Sequence, residues 1–343
     1  MSQVTDVTFS PGQSGKSRRF FNFGSGRDAS ERRFLASALI PLLLYMAFWT
    51  LLPIVWAFVL AFFEYSARRQ GGPILGLGGD NPFVGLHHFR NMLDFSPEAP
   101  LEVRQFHNSV KTTWLFAFLV VPLNLAITLP LAAMIEQVHV HLKVAFRTIF
   151  FIPIVTSAAG VAIMWGYILH PQRGILNAVI SQVTGSLTVI NWMNDQSLVV
   201  LGIPVALIGV IVAYLWMDIG YNLIIFIAAL QSIPDTIREA AIIDGADGFN
   251  MFRYITLPLL KPTIYLAAIL TMISAFQVFD VIQVMTNGGG PNEQTRVMVI
   301  DIYDSAFRFQ RMGWAAAVST VLFAMVLVIS LVQSRMLQSD WEY

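Results

Sequence analysis

The chain has 343 residues, 56% of them hydrophobic and only 12% charged, with 21 Lys+Arg balanced by 21 Asp+Glu. A soluble domain carries about 25% charge, so the composition points to a polytopic membrane protein, and zero net charge offers no footprint for nucleic acid. The absence of cysteine excludes disulfides, thiolate metal sites and thiol redox chemistry.

Residues 1–33 are rich in Ser, Gly and Arg and read as a disordered basic tail. Within them Gly12-Gln13-Ser14-Gly15-Lys16-Ser17 resembles the end of a phosphate-binding loop. Ser10 stands where that loop needs its first glycine, and Arg18-Arg19-Phe20-Phe21-Asn22 follows instead of a helix. A flexible tail is therefore expected, with no nucleotide bound by this chain.

A membrane span needs about 20 mostly apolar residues. Six stretches qualify: 34–63, 109–135, 146–169, 203–230, 258–285 and 313–334. The first is too long for the apolar core of a signal peptide and reads as an uncleaved helix. Pro41, Pro53, Pro122, Pro130 and Pro153 lie inside these stretches and should kink their helices. The resulting order is a tail 1–33, a first helix 34–63, an external loop 64–108, a helical core 109–335 and a short tail 336–343.

Orientation follows the Lys/Arg bias. Lys16, Arg18, Arg19, Arg27, Arg32 and Arg33 precede the first span. With that tail in the cytoplasm, Lys143, Arg147, Arg238, Arg253, Lys261 and Arg335 also fall inside, making 12 of the 21. The bias is mild, and the cluster before the first span carries most of it.

In the external loop, the pair His87-His88 lacks the cysteines or clustered carboxylates of a metal site and reads as an ordinary loop. His139 and His141 flank a short inner loop and should be solvated. In the spans, Tyr214, Asp218 and Asn222 recur at i, i+4, i+8, with Trp216 and Tyr221 nearby. Asn124 and Thr128 form an i, i+4 pair, and Ser274, Gln277 and Asp280 a further stripe. Polar groups at bilayer depth face a cavity or a partner helix. Two readings stay open: a lining for a hydroxyl-rich substrate, in which Asn124, Tyr214, Asp218, Asn222, Gln277 and Asp280 touch it, or hydrogen bonding between helices.

The inner segment 231–257 is polar and turn-rich between two apolar runs. Ser232 and Asp235, with Pro234 between them, suggest a capping-box start to a helix over Pro234 to Asp244, and Gly245 supplies its stop. Phe249, Phe252 and Ile255 mark a second amphipathic piece, giving an L pinned to the bilayer at both ends. Ala240 and Ala241 would let another protein approach closely, with Glu239 and Asp244 as acceptors.

The spacing Glu239-Ala240-Ala241, three residues, Gly245, nine residues, Ile255, one residue, Leu257-Pro258 resembles the signature of permease subunits of binding-protein-dependent ABC importers. Phe83-Val84-Gly85-Leu86-His87-His88-Phe89 is similar to a block of the sugar branch related to the maltose and glycerol-3-phosphate systems, with His88 where asparagine is usual. So is Val284-Met285-Thr286-Asn287-Gly288-Gly289-Gly290-Pro291, continuing through Ile302-Tyr303 and Ala306-Phe307 to Met312-Gly313. The resemblance covers roughly residues 34–335. It implies an all-α membrane protein: a five-helix type I importer core plus an added N-terminal helix.

The resemblance also implies that Glu239, Ala240, Ala241, Asp244, Gly245, Ile255, Leu257 and Pro258 belong to a coupling element docked in a cleft of a partner ATPase. ATP would then be bound by an ATPase dimer, with no cofactor in this chain. A second permease, an extracytoplasmic solute-binding protein and a bacterial or archaeal plasma membrane complete the implied setting. The substrate would be a sugar or related carbohydrate, or alternatively glycerol 3-phosphate or a glycerophosphodiester. The near absence of Arg and Lys within the spans favours a neutral substrate. An ion-coupled transporter would lack the docking signature, and a membrane enzyme would show clustered His, Asp or Glu at one face.

Overall fold

The computed structural model describes residues 28–187 and 189–336. The Gly12–Ser17 segment and the end of the chain from 337 lie outside the described residues. The chain divides into two compact units, 1–56 and 57–343.

In the first unit, α1 (Asp28–Met46) runs through a π-helical turn (Ala47–Leu51) into α2 (Leu52–Leu60), which carries the chain into the second unit. The apolar helix Arg33–Leu60 has 28 residues. At 1.5 Å per residue it is about 42 Å long, enough to cross a hydrocarbon layer of about 30 Å. Its side chains from Arg33 to Val55 are all exposed, as suits a helix surrounded by lipid or by a neighbouring subunit.

The second unit opens with a hairpin of β1 (Gly71–Ile74) and β2 (Leu77–Gly79), followed by α3 (His87–Asn91). Asn81 pins this segment: Ser66 N donates to its Oδ1 at 2.9 Å, and its Nδ2 donates to Gly76 O at 3.0 Å. Then comes α4 (Leu101–Gln137), 37 residues long and continuous through Pro122 and Pro130. It begins at Leu101, so 101–108 is helix and not part of an external loop. A helix of about 55 Å overshoots the bilayer core.

The expected third span is not one helix. α5 (Val140–Val155) and α6 (Ala158–Ile168) meet at 101°. Pro153 removes a donor from the last turn of α5, and Ser157 caps α6 by accepting from Gly160 N at 3.1 Å. A connecting segment follows, with α7 (Ile175–Thr184) and a minimal hairpin of β3 (Val199–Val200) and β4 (Ile203–Pro204). From it α8 (Val205–Gln231) runs as a single apolar helix.

The loop after α8 holds α9 (Asp235–Ile243), α10 (Gly248–Asn250), a π turn (Met251–Thr256) and α11 (Leu257–Leu259). The helical arm Gly248–Leu259 then bends by 70° into α12 (Lys261–Phe276). The expected fifth span is therefore also broken. α12 has 16 residues, about 24 Å and short of the bilayer core. It stops at Gln277, and α13 (Asp280–Thr286) starts afresh after Phe279. α14 (Met298–Tyr303), a π turn (Asp304–Arg308) and α15 (Met312–Met336) complete the chain. By length and composition the described residues hold four unbroken apolar helices, or six spans if each bent pair is one.

The core forms where α4 packs on α8 and α12, α5 on α8, and α6 on α13. Phe116, Val120, Leu207, Tyr214, Phe276 and Ile282 are buried in one cluster. Leu129, Ala132, Leu223, Phe226, Leu260 and Ala267 form a second, on which Ile233 and Phe252 at either side of α9 pack. Gly220 decides how closely α5 and α8 approach: a Cβ there would lie 2.1 Å from Phe150 O.

Candidate functional site: the α9 loop and the polar seam

α9 starts differently from the capping box expected at Ser232 and Asp235. Ser232 Oγ donates to Ala229 O at 2.7 Å and closes the end of α8. Pro234 is the N-cap position and has no side-chain hydrogen bond. The C-terminus of α9 is a Schellman turn. Gly245 takes φ 85°, Ala246 N donates to Ala241 O at 2.9 Å, and Gly245 N donates to Ile242 O at 3.0 Å. A residue with a Cβ would be strained at Gly245. Asp247 Oδ1 accepts from Asn250 N at 3.3 Å and starts the second arm.

The implied coupling residues separate by exposure. Glu239, Ala240, Asp244 and Gly245 face solvent. Ala241 does not: it is buried, on a helix packed against the Met251–Thr256 turn. Its small side chain admits the second arm of the loop and not an outside partner. Ile255, Leu257 and Pro258 are half-buried, and Leu257, with Phe252, packs that arm against the cluster that holds Leu129 and Phe226. Four apolar side chains extend the exposed surface, Ile242, Ile243 (85% exposed), Phe249 and Tyr254. Exposed large apolar groups on a polar loop mark an interaction face. Ile242 and Ile243 escaped the sequence reading because their run looks like an ordinary apolar helix stripe.

Behind the loop a cavity of about 490 Å³ separates it from the inner ends of α4, α5 and α8, with Glu136, Lys143, Asp235, Arg238, Asp247 and Phe252 in its wall. Glu136 gathers three donors there: Lys143 Nζ at 3.1 Å, Arg147 Nη2 at 2.5 Å and Gln231 Nε2 at 3.3 Å. One carboxylate thus ties three helices together immediately above the loop. His139 and His141 are exposed beside it.

In the spans, the polar stripes meet each other. Asn222 Nδ2 donates to Asn124 Oδ1 and to Thr271 Oγ1, each at 2.7 Å. Asn124 Nδ2 donates to Asp218 Oδ2 at 2.8 Å, and Thr128 Oγ1 to Asn124 O at 2.8 Å. Asn124 and Asn222 have no exposed surface, so of the two open readings they take the interhelical one and leave the candidate lining. Tyr214 is likewise buried, edge-on to Phe116 at 5.3 Å. Asp218 is half-buried, while Trp216, Tyr221, Ser274, Gln277 and Asp280 are exposed. Trp216 sits 6.5 Å from Trp165, ring centre to ring centre. Thr271 was missed, although its i, i+3 relation to Ser274 was a usable signal.

At the opposite end of the bundle from α9, Arg296 lies buried between two carboxylates. Nη1 donates to Asp304 Oδ2 at 2.8 Å and Nη2 to Asp301 Oδ1 at 3.0 Å. The chain on either side of Arg296 is tied to α4: Asn108 Nδ2 donates to Glu293 O at 2.7 Å, and Met298 N to Thr113 Oγ1 at 2.9 Å. His87 is exposed, 3.1 Å from Asn91 Nδ2, whereas His88 is buried and donates from Nε2 to Phe63 O at 3.1 Å. The two rings serve separate partners, and among the described residues no group of three or more His, Asp or Glu could hold a metal ion.

Residues 128–338 match the family model described as binding-protein-dependent transport system inner membrane component. The chain belongs to that family. A probable ABC transporter permease, YurN of Bacillus subtilis, is 29% identical over 89% of this chain and 96% of its own length. The sn-glycerol-3-phosphate permease UgpA of Yersinia enterocolitica is 30% identical over 78% of this chain and 84% of its own. The lactose permease LacF of Rhizobium radiobacter is 33% identical over 66% and 74%. Among solved structures, a chain of a bacterial alginate ABC transporter, crystallised with a pentasaccharide-bound periplasmic protein, aligns with a TM-score of 0.74 at 23% identity. That alignment covers 91% of this chain and 96% of the other. The fold is that of a type I importer permease, and this permease is a transport component of the inner membrane.

Proposed function

We propose that this permease carries a neutral sugar or related carbohydrate inward, with its N-terminus in the cytoplasm and ATP hydrolysed by a separate ATPase pair. The observation that carries the reading is the α9 loop: a rigid Schellman-closed helix whose exposed face combines Glu239 and Asp244 with Ile243, Phe249 and Tyr254. An ATPase closing on ATP would push this face. The push reaches the spans through the braced second arm and through the Glu136 cluster, and rocks the bundle between inward- and outward-facing states. A second permease would complete the path, and a solute-binding protein would deliver substrate to the outer loops. Asp218, Gln277 and Asp280, with Trp216, are the side chains left to meet a sugar, their carboxylates and amide facing hydroxyls and the indole facing the apolar side of the ring.

The kinship to UgpA at 30% identity favours glycerol 3-phosphate as a second reading. Against it, α8 and α6 contain no Lys or Arg to meet a phosphate. Uptake by cells carrying the complete transporter, measured with labelled lactose or maltose and with labelled glycerol 3-phosphate, separates the two. Uptake confined to glycerol 3-phosphate would sink the neutral-sugar reading.

A further inference from the structure

A second cavity, of about 320 Å³, opens in the outer part of the 57–343 unit, between the stretch after α2, helix α3 and the starts of α4 and α15. Glu64, Arg69, His87, Asn91, Glu102 and Arg311 surround it, and Trp314 forms part of the wall. Its charges cancel in pairs. Arg69 Nη2 meets Glu64 Oε1 at 2.9 Å, and Arg311 is salt-bridged to Glu102.

The wall is rigidly built. Gly313 N donates to Tyr65 O at 3.0 Å, and a Cβ at Gly313 would lie 2.0 Å from Phe63 O, so glycine lets α15 close on this stretch. His88 then stands edge-on to Trp314 at 5.9 Å. Trp314 is 4% exposed, and its Nε1–H has no acceptor among the described residues. A buried donor without an acceptor is costly and uncommon.

We propose that this cavity binds a neutral, hydroxyl-rich small molecule of mono- or disaccharide size. Hydroxyls both donate and accept, so they complement a wall that alternates carboxylates with guanidinium, imidazole and amide groups. An ion would meet charges that are already paired and would gain little from them. The volume falls at the lower end of the roughly 300–1,000 Å³ usual for small-molecule sites. None of Asn124, Tyr214, Asp218 or Asn222 lines the cavity, so the site is separate from the polar seam in the spans. The inference rests on the cavity itself and holds whatever solute the transporter moves.

The test uses the full chain in lipid nanodiscs, with glucose, maltose and glycerol 3-phosphate as probes in saturation-transfer NMR. A neutral saccharide should bind with a Kd on the order of 1 mM, weakened about tenfold or more in the double variant His87→Ala, Asn91→Ala. These two residues are exposed and half-buried, so their loss does not threaten the fold. Trp314→Phe keeps the ring and removes the N–H, and should weaken binding too wherever it folds. The proposal is overturned by no saccharide signal up to about 50 mM, by equal binding in parent and double variant, or by preference for glycerol 3-phosphate. Loss of binding in Asp218→Asn with none in the double variant would place the sugar in the membrane path and also overturn it.

Discussion

Asn222 shows what a buried polar side chain does in this bundle. Its carboxamide joins α4 to α12 through Asn124 and Thr271. Asn222→Ala would leave Thr271 Oγ1 without this donor and Asn124 Oδ1 with only the longer bond from Thr128 Oγ1 at 3.3 Å, a loss of about 1–3 kcal/mol; measured pairs inside membranes fall toward the lower end. A lower melting temperature of the purified permease, with no change in the substrate concentration for half-maximal transport, is the expected result. A change in that concentration alone would return Asn222 to the path. His88 offers a pH test. Burial pushes its imidazole below the 6.5 of a free histidine, outweighing the hydrogen bond to Phe63 O. The unfolded chain therefore takes up that proton first, and His88's contribution, whole above about 6.5, is lost as the pH falls. Asp301 acts in the opposite sense, because burial pushes its carboxyl up to about 6 despite Arg296. The difference between the parent and His88→Gln melting curves isolates the histidine, and that difference should shrink toward acid pH. No change in it between about pH 7.5 and pH 5 would count against a neutral buried His88.

At the scale of elements, the α9 loop proposed to couple has two faces with different tolerances. Glu239→Lys, on the exposed face, should abolish uptake while the subunit stays in the membrane and melts normally; normal uptake would remove the docking role. Ala241→Leu should destabilise the loop, because Ala241 is 6% exposed where α9 packs on the Met251–Thr256 turn. Ala240→Leu, one residue away and exposed, should leave the melting temperature unchanged and weaken coupling alone. Equal melting losses in both would contradict the assigned faces. Much of this loop was legible in sequence: the helix, its glycine stop and the amphipathic second arm follow from local chemistry. The face that Ala241 presents was not legible, because one helix turn of small residues is compatible with either packing direction until the second arm is placed.

For the whole molecule, the described residues combine four unbroken apolar helices with two bent pairs. Hydropathy finds apolar length and is blind to direction, so 146–169 and 258–285 read as single spans although each contains a break. Pro153 and Ser157 announced the first break locally, and Pro258 and Pro262 flank the second at Leu260; the further interruption at Gln277–Phe279 carries neither proline nor glycine. At this scale the permease should have no ATPase activity by itself. Hydrolysis by the purified chain would overturn the division of labour with a separate ATPase and revive the Gly12–Ser17 segment. Composition and the Glu239-to-Pro258 spacing determined membrane residence and family, because those depend on residue type along the chain. Tertiary structure alone decided which polar residues of the spans are sealed between helices and which stay open. That choice depends on how α4, α8 and α12 rotate against one another, and no periodicity within one helix records its neighbour's angle.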